Sequence, residues 1–264
     1  MKIIPTQNIS AVTAGSEDTN YPDDNVLDLH PKKVWKANST YTSTLTLTVA
    51  GPNNGIAVFN TNAISINVTV TDPNYFGWDA TDIAWSSGDI VWAAEDAAVI
   101  DELYRLDGDS GSAWIEWPAA IITVECELTL TCESSATLYA GTVIGGQIYE
   151  FTCPQIGVTE GLVNYSIVRE LQNGATYVKN RDSVRAFSFT FIEDRALAPA
   201  QTTSDFYRYM YDVAKVIGFN PAAWYLTEMD DTWWIVFARF QDMPIGTHSL
   251  PNDAYINTNI IEVL

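Results

Sequence analysis

Carboxylates are the most abundant chemistry-bearing side chains in this 264-residue chain, with Asp+Glu at 33. A glycosidase needs only two of them, one to protonate the leaving oxygen and one to attack or to activate water. Asp79, Asp82, Asp107, Asp109, Glu228, Asp230 and Asp231 stand close together in sequence. Closeness selects nothing in so acidic a chain, and no basic or polar cluster accompanies any of these pairs. The expectation is a solvated acidic face and no enzyme. Asp107-Gly108-Asp109-Ser110-Gly111 begins like a calcium loop, but the twelfth position, where an EF-hand needs a bidentate Glu, is Pro118. A Gly-rich turn is therefore expected. An irregular Ca²⁺ site in the acidic loops is the one metal alternative, and no other cofactor is expected.

Other reactive groups are sparse. His30 and His248 both stand in loop-like contexts, and neither belongs to a zinc spacing such as HExxH. No Gly-x-Ser-x-Gly elbow and no Gly-x-x-x-x-Gly-Lys phosphate loop occurs. Gly145-Gly146 reads as a turn. Cys126, Cys132 and Cys153 cannot all pair, which argues against a disulfide framework. Cys126 and Cys132 read as small buried hydrophobes on one strand face, as suits folding in a reducing cytoplasm.

Trp78, Trp85 and Trp92 recur at seven-residue intervals in GWDATDIAWSSGDIVW. Three uses are open for them: stacking on sugar rings, anchoring a protein interface, and core packing. Trp35, Trp114 and Trp117 read as core.

Composition narrows the partners. A chain with 47% hydrophobic residues and nine Trp folds, and its length allows one or two domains. Lys+Arg number 13, giving a formal net charge of −20. Such a body repels nucleic acid and anionic membranes within a Debye length of roughly 8–10 Å. No stretch approaches the ~20 apolar residues that span a bilayer, so no membrane insertion is expected. The opening MKIIPTQN has no apolar run of signal-peptide length. The Asn38, Asn67 and Asn164 sequons then read as chance matches.

Period-two patterning dominates the elements that must position these residues. Tyr41, Ser43, Leu45, Leu47 and Val49 alternate with Thr. Ile64, Ile66, Val68 and Val70 alternate with Ser, Asn and Thr, and Ile122, Val124, Cys126, Leu128, Leu130 and Cys132 with Thr and Glu. Each set places one face on a core. Phe187, Phe189 and Phe191 form another face. Further strands are predicted over 164–169, 176–180, 183–192, 233–240 and 259–264. The run WWIVFARF at 233–240 is bulky on both faces, as for a strand covered on both sides. Trp233, Trp234, Ile235, Phe237 and Phe240, with Ile260 and Val263 of the last strand, are the candidate subunit contact.

One helix is predicted over 205–217. Thr203 or Ser204 can cap it, Asp205 suits the first turn, and Phe206, Tyr209, Met210, Val213 and Ile217 form one apolar stripe. Gly218 and Pro221 end it. A second, shorter helix is predicted over 94–103. A break near 153–161, rich in Pro and Gly, separates a unit at 1–160 from one at 161–264.

The stretch 16–37, SEDTNYPDDNVLDLHPKKVWKA, resembles the opening of discoidin-like (galactose-binding-like) β-sandwiches. There an Asn-Leu-Asp turn closes the sandwich end and a Trp plugs the core beneath it. Taken with GIAVFNTNAISINVTV at 55–70, NYSIVRELQNGATYVKNRDSVRAFSFTF, TSDFYRYMYDVAKVIGFNPAAW and the closing NTNIIEVL, the chain is similar to tailed-bacteriophage tail-tip and baseplate structural proteins. The resemblance implies a mainly β protein: a discoidin-like sandwich plus a smaller β-rich unit carrying one amphipathic helix. It also implies a non-enzymatic virion component, made in the host cytoplasm and built into a homo-oligomeric ring with tail tube, hub, tape-measure or fibre proteins. The turn departs from the family in reading Asn25-Val26-Leu27-Asp28, which points away from sugar binding by the sandwich. A carbohydrate-binding module that recognises a host glycan, with Trp78, Trp85 and Trp92 in contact, is the alternative function.

Overall fold

The alternating segments become strands nearly position for position. The computed structural model describes all residues except 6–7, 72–97, 106–110, 152–156, 171–175, 195–208, 227–233, 251–252 and 264. The strands are β1 (Lys2–Ile4), β2 (Ile9–Ala14), β3 (Trp35–Lys36), β4 (Thr42–Val58), β5 (Ser65–Thr71) and β6 (Ala98–Arg105). Then follow β7 (Ala113–Thr131), β8 (Tyr139–Ala140), β9 (Val143–Gly146), β10 (Tyr149–Glu150), β11 (Val158–Asn164) and β12 (Ile167–Glu170). The last are β13 (Thr176–Lys179), β14 (Ser183–Asp194), β15 (Ala222–Tyr225), β16 (Ile235–Leu250) and β17 (Asp253–Glu262), with the helix α1 (Tyr209–Ile217) before β15. The expected class is the one adopted: mainly β, in a β-sandwich unit and a smaller β unit that carries, among the described residues, one amphipathic helix.

The chain forms two compact units. One comprises Gln7–Asp28 and Lys33–Gln147, the other Met1–Thr6, Leu29–Lys32 and Ile148–Leu264. The division thus falls between Gln147 and Ile148, ahead of the break expected at 160/161. Backbone pairing explains it: β1 pairs antiparallel with β10 and β15, so the first residues belong with the C-terminal sheet.

In the first unit the antiparallel order is β2-β4-β7-β5-β6, with β9 on the far half of β4. Leu45, Leu47 and Val49 share one sheet face and one core with Ile66, Val68, Val70, Val124, Cys126, Leu128 and Leu130, all fully buried. Each such side chain contributes about 1.5–3 kcal/mol on burial. Thr44, Thr46, Thr48, Glu125, Glu127 and Thr129 take the opposite, solvent face. The residues Gly51-Pro52-Asn53-Asn54 do not turn β4 back on itself. They are absorbed as a register shift between Ala50 and Gly55, and Gly51 takes φ 76°, a left-handed value that suits glycine. The buried Asn53 amide donates to Val49 O (3.3 Å) and Gly51 O (2.8 Å), and Asn53 O accepts Trp117 Nε1–H (3.2 Å). Beyond this kink β4 pairs with β9, and Ile56, Val58 and Val143 join the same core. One long strand therefore pairs with β2 along its first half and with β9 along its second.

From Ala98 on, β6 replaces the helix predicted over 94–103, whose first four residues lie outside the described residues. It pairs with β5 from Ser65↔Arg105 to Thr71↔Ala98. The Ala, Glu and Leu of this stretch favour a helix locally, but the open edge of β5 supplies a ladder, and tertiary pairing overrides weak propensity.

In the second unit the order is β10-β1-β15-β16-β17-β14-β11. Trp224 is its anchor. Its ring meets Phe240 edge-on at 5.2 Å and Phe189 at 6.4 Å, and its Nε1–H donates to Ala238 O at 2.9 Å. That bond satisfies the one polar atom of a fully buried indole. Val213, Ala214 and Ile217 of α1 pack on this cluster, while Asp212, Lys215 and Val216 face solvent. Gly218, at φ 57°, ends α1 and donates to Ala214 O at 2.8 Å, as the sequence predicts. The expected cap and Phe206 lie outside the described residues. β12 and β13 form a separate two-stranded ribbon.

Candidate functional site

The end of the sandwich is built by the segment that opens it. Pro22 precedes a 3-10 turn, Asp23–Leu27. The Asn25 side-chain amide donates to Val34 O at 2.9 Å, tying the turn to the strand that follows. Trp35 is fully buried, and its Nε1–H reaches Ser16 O at 3.2 Å. Asp23 Oδ2 accepts the Ala14 N–H (2.9 Å), and Glu17 Oε2 accepts the Asp23 N–H (3.1 Å). Thr142 Oγ1 donates to Asp28 O at 2.9 Å from the adjoining strand. Asp28 and Lys33 form an exposed ion pair. This is the turn-and-Trp closure that the discoidin-like opening implies. The extra residue of the turn, Val26, does not disturb it: the side chain is fully buried in the core beside Trp35.

Above the closure lies a polar and aromatic rim. Asp18 and Tyr21 form a bridge, with Tyr21 N–H donating to Asp18 O at 2.8 Å. Lys36 N–H donates to Tyr21 O at 3.2 Å and Lys36 O accepts from Asp18 N–H at 2.9 Å. These bonds set the Lys36 ammonium 3.9 Å from the Tyr21 ring centroid, a cation–π contact. Asp18 Oδ1 accepts from both the Asn20 backbone (2.9 Å) and its side-chain amide (3.2 Å). Tyr21 stays 37% exposed, so its ring reaches solvent beside the Lys36 ammonium, with the Asp18 carboxylate and Asn20 amide in the same turn. Such a surface can stack on an apolar ring face and hydrogen-bond hydroxyls. Among the described residues no group of three His, Cys, Asp or Glu side chains could hold a metal ion. Reading the sequence missed the rim because Tyr21 and Lys36 are brought together by backbone pairing across the turn.

The expected site residues fall elsewhere. Trp78, Trp85 and Trp92 lie outside the described residues, as do Trp233, Cys153 and the acids Asp79, Asp82, Asp107, Asp109, Glu228, Asp230 and Asp231. Of the candidate subunit contact, Ile235, Phe237, Phe240 and Ile260 are buried within the chain. Phe240 and Ile260 belong to the Trp224 cluster. Trp234 is partly buried, its ring 6.4 Å from that of Phe187, and Val263 donates its N–H to Phe237 O at 2.9 Å. Ile235, Phe237, Phe240 and Ile260 are thus covered inside the chain. His30 is exposed in its loop.

Cys126 and Cys132 are free and buried, as the strand pattern predicts. Burial, with the neighbouring Glu127 carboxylate, pushes the Cys126 thiol up to about 12. Burial raises the Cys132 thiol as well, against the lowering effect of a backbone hydrogen bond. Neither is a nucleophile near neutral pH.

Among the described residues, large apolar groups are exposed at Leu162 and on the β12–β13 ribbon. Leu162, Val168, Tyr177 and Val178 are each more than half exposed.

No protein-family model matches the chain, and no curated protein matches it. Solved structures overlay on about half of it. The family 32 carbohydrate-binding module of C. perfringens NanJ in complex with galactose overlays at TM-score 0.39 and 10% identity, covering 56% of this chain and 100% of that one. The lectin binding domain of Lectinolysin complexed with Lewis b gives 0.39 and 9%, covering 54% and 96%. Reduced XRCC1 bound to the DNA pol beta catalytic domain gives 0.38 and 8%, covering 53% and 97%. Overlays this loose carry no argument about what this chain binds.

Proposed function

We propose that this chain is a non-catalytic binding protein that recognises carbohydrate through the rim of its sandwich unit. The observation that supports this is the Tyr21–Lys36 stack, held on a closure tied by the Asn25 amide to Val34 O and by Trp35 Nε1–H to Ser16 O. An aromatic face beside a few fixed polar groups is the arrangement that orients a small polyhydroxy ligand. The ligand class is a neutral glycan, because a body of net charge −20 repels acidic polysaccharides. A glycan array probed with the intact chain tests the reading. Binding to neutral hexose glycans, lost on Tyr21→Ala with an unchanged melting temperature, is the expected result. An array with no bound glycan would overturn it.

A second reading makes the chain a structural part of a bacteriophage tail tip or baseplate, made in the host cytoplasm and assembled with itself and with tail tube, hub, tape-measure or fibre proteins. The resemblance of its sequence blocks suggests it, and the exposed β12–β13 ribbon favours it. An isolated two-stranded ribbon is at best marginally stable in water, so its exposure on both faces suits a surface that is covered on assembly. Mass spectrometry of purified particles tests this reading, which fails if the chain is absent from them.

A further inference from the structure

We propose that the β12–β13 ribbon is a docking arm for a second copy of this chain, and that its basic face seats on the Glu125–Glu127 face of that copy. The proposal deepens the assembly reading by naming the contact, and it is independent of glycan binding. The register pairs Ile167 with Lys179 and Arg169 with Tyr177. Because side chains alternate across a strand, Arg169, Tyr177 and Lys179 share one face of the ribbon. All three are exposed, and among the described residues neither Arg169 nor Lys179 makes an ion pair.

The charge of this arm opposes that of the chain. Segment 164–181 holds three basic residues, Arg169, Lys179 and Arg181, and one acid, Glu170, in a chain with 33 acids and 13 bases. The surface best matched to a basic, partly aromatic ribbon is therefore one this protein supplies in excess. On the sandwich, Glu125 and Glu127 point to the solvent side of β7, both exposed, flanked by Thr46 and Thr69 on one row and Thr48 and Thr71 on the next. Spacing agrees as well as sign. Two carboxylates two residues apart on a strand stand about 6.6 Å apart. Diagonal cross-strand neighbours such as Arg169 and Lys179 stand about 7–8 Å apart. Two different patches meeting in this way make a heterologous contact, which closes into a ring or extends as a filament.

Ionic strength enters with two signs. Net repulsion between two such acidic bodies acts at long range, whereas the four contacting groups act at short range. At about 0.15 M salt the Debye length of about 8 Å screens the first more than the second, and at about 1 M both are screened. The experiment is analytical ultracentrifugation of the full chain with Arg169→Glu/Lys179→Glu, with Glu125→Lys/Glu127→Lys, and with all four changes together. Wild type should self-associate at ~0.15 M salt and weaken at ~1 M. Each double variant should sediment as monomer with the wild-type melting temperature, and the fourfold variant should associate again. Double variants that associate like wild type would overturn the docking assignment while leaving self-assembly standing. A wild type that is monomeric at every concentration would overturn the second copy as partner. The assembly reading itself fails only on absence of the chain from purified particles.

Discussion

Asn25 and Val34 lie nine positions apart and are joined by one bond, from the Asn25 side-chain amide to the Val34 carbonyl at 2.9 Å. That bond fixes where Trp35 enters the core and where Lys36 leaves it toward Tyr21. The closure and the rim are therefore one construction. Asn25→Ala should lower stability by about 1–2 kcal/mol, the cost of a hydrogen bond lost with its acceptor left half-buried. Trp35→Ala should cost about 3–5 kcal/mol through the cavity it leaves. Urea titration of both variants checks the ranking.

In the second unit Arg185 and Glu262 make a forked pair, Nε to Oε2 at 3.0 Å and a terminal nitrogen to Oε1 at 2.7 Å. Their side chains are only 17% and 15% exposed, and the guanidinium lies 5.5 Å from the Phe187 ring centre. A double-mutant cycle with Arg185→Met and Glu262→Gln should give a coupling of about 1.5–3 kcal/mol. The coupling should barely change with salt, since partly buried pairs are poorly screened.

The buried thiol gives a pH prediction. The folded Cys126 thiol stays protonated to about 12, against 9.0 for the ordinary group. Below pH 9 both folded and unfolded thiols are neutral and the group imposes no penalty. Above 9 only the unfolded chain ionises, so stability falls by up to about 1.4 kcal/mol per pH unit until the folded thiol titrates. Denaturation midpoints of wild type and Cys126→Ala across this alkaline window should converge as pH rises. Native Cys126 should also resist a thiol reagent at neutral pH and react once the chain is unfolded.

Gly111 accepts the Thr61 N–H at 2.9 Å while at φ 55°. A Cβ there would come within 2.7 Å of Thr61 O. Gly111→Ala should therefore destabilise by more than about 1 kcal/mol, through a strained backbone and a forced shift of that carbonyl. A thermal melt checks it.

The sandwich was legible where one face alone is buried. Leu45, Leu47 and Val49 against Thr44, Thr46 and Thr48 can only be read as a strand, because a period of two has no other structural meaning. The stop of α1 at Gly218 was legible for a similarly local reason. What escaped depends on distant partners. Ala98 to Arg105 favours a helix by composition and becomes a strand because β5 offers an edge. Lys2–Ile4 is part of the C-terminal sheet because β15, over 200 residues later, accepts it. The bulk of Phe237 and Phe240 signalled burial correctly, but a sequence does not say whether the cover is the same chain or another. Tyr21 and Lys36 were invisible as a pair because the rim exists only after the turn has closed.

Isothermal titration of the intact chain with a neutral hexose oligosaccharide selected on the array tests the central claim most directly. Saturable binding is predicted for wild type. Tyr21→Ala and Lys36→Gln should each weaken it at least about tenfold, or ~1.4 kcal/mol, with melting temperatures unchanged. Wild-type affinity in both variants, or no heat of binding in the wild type, would contradict the assignment of the rim as the recognition site.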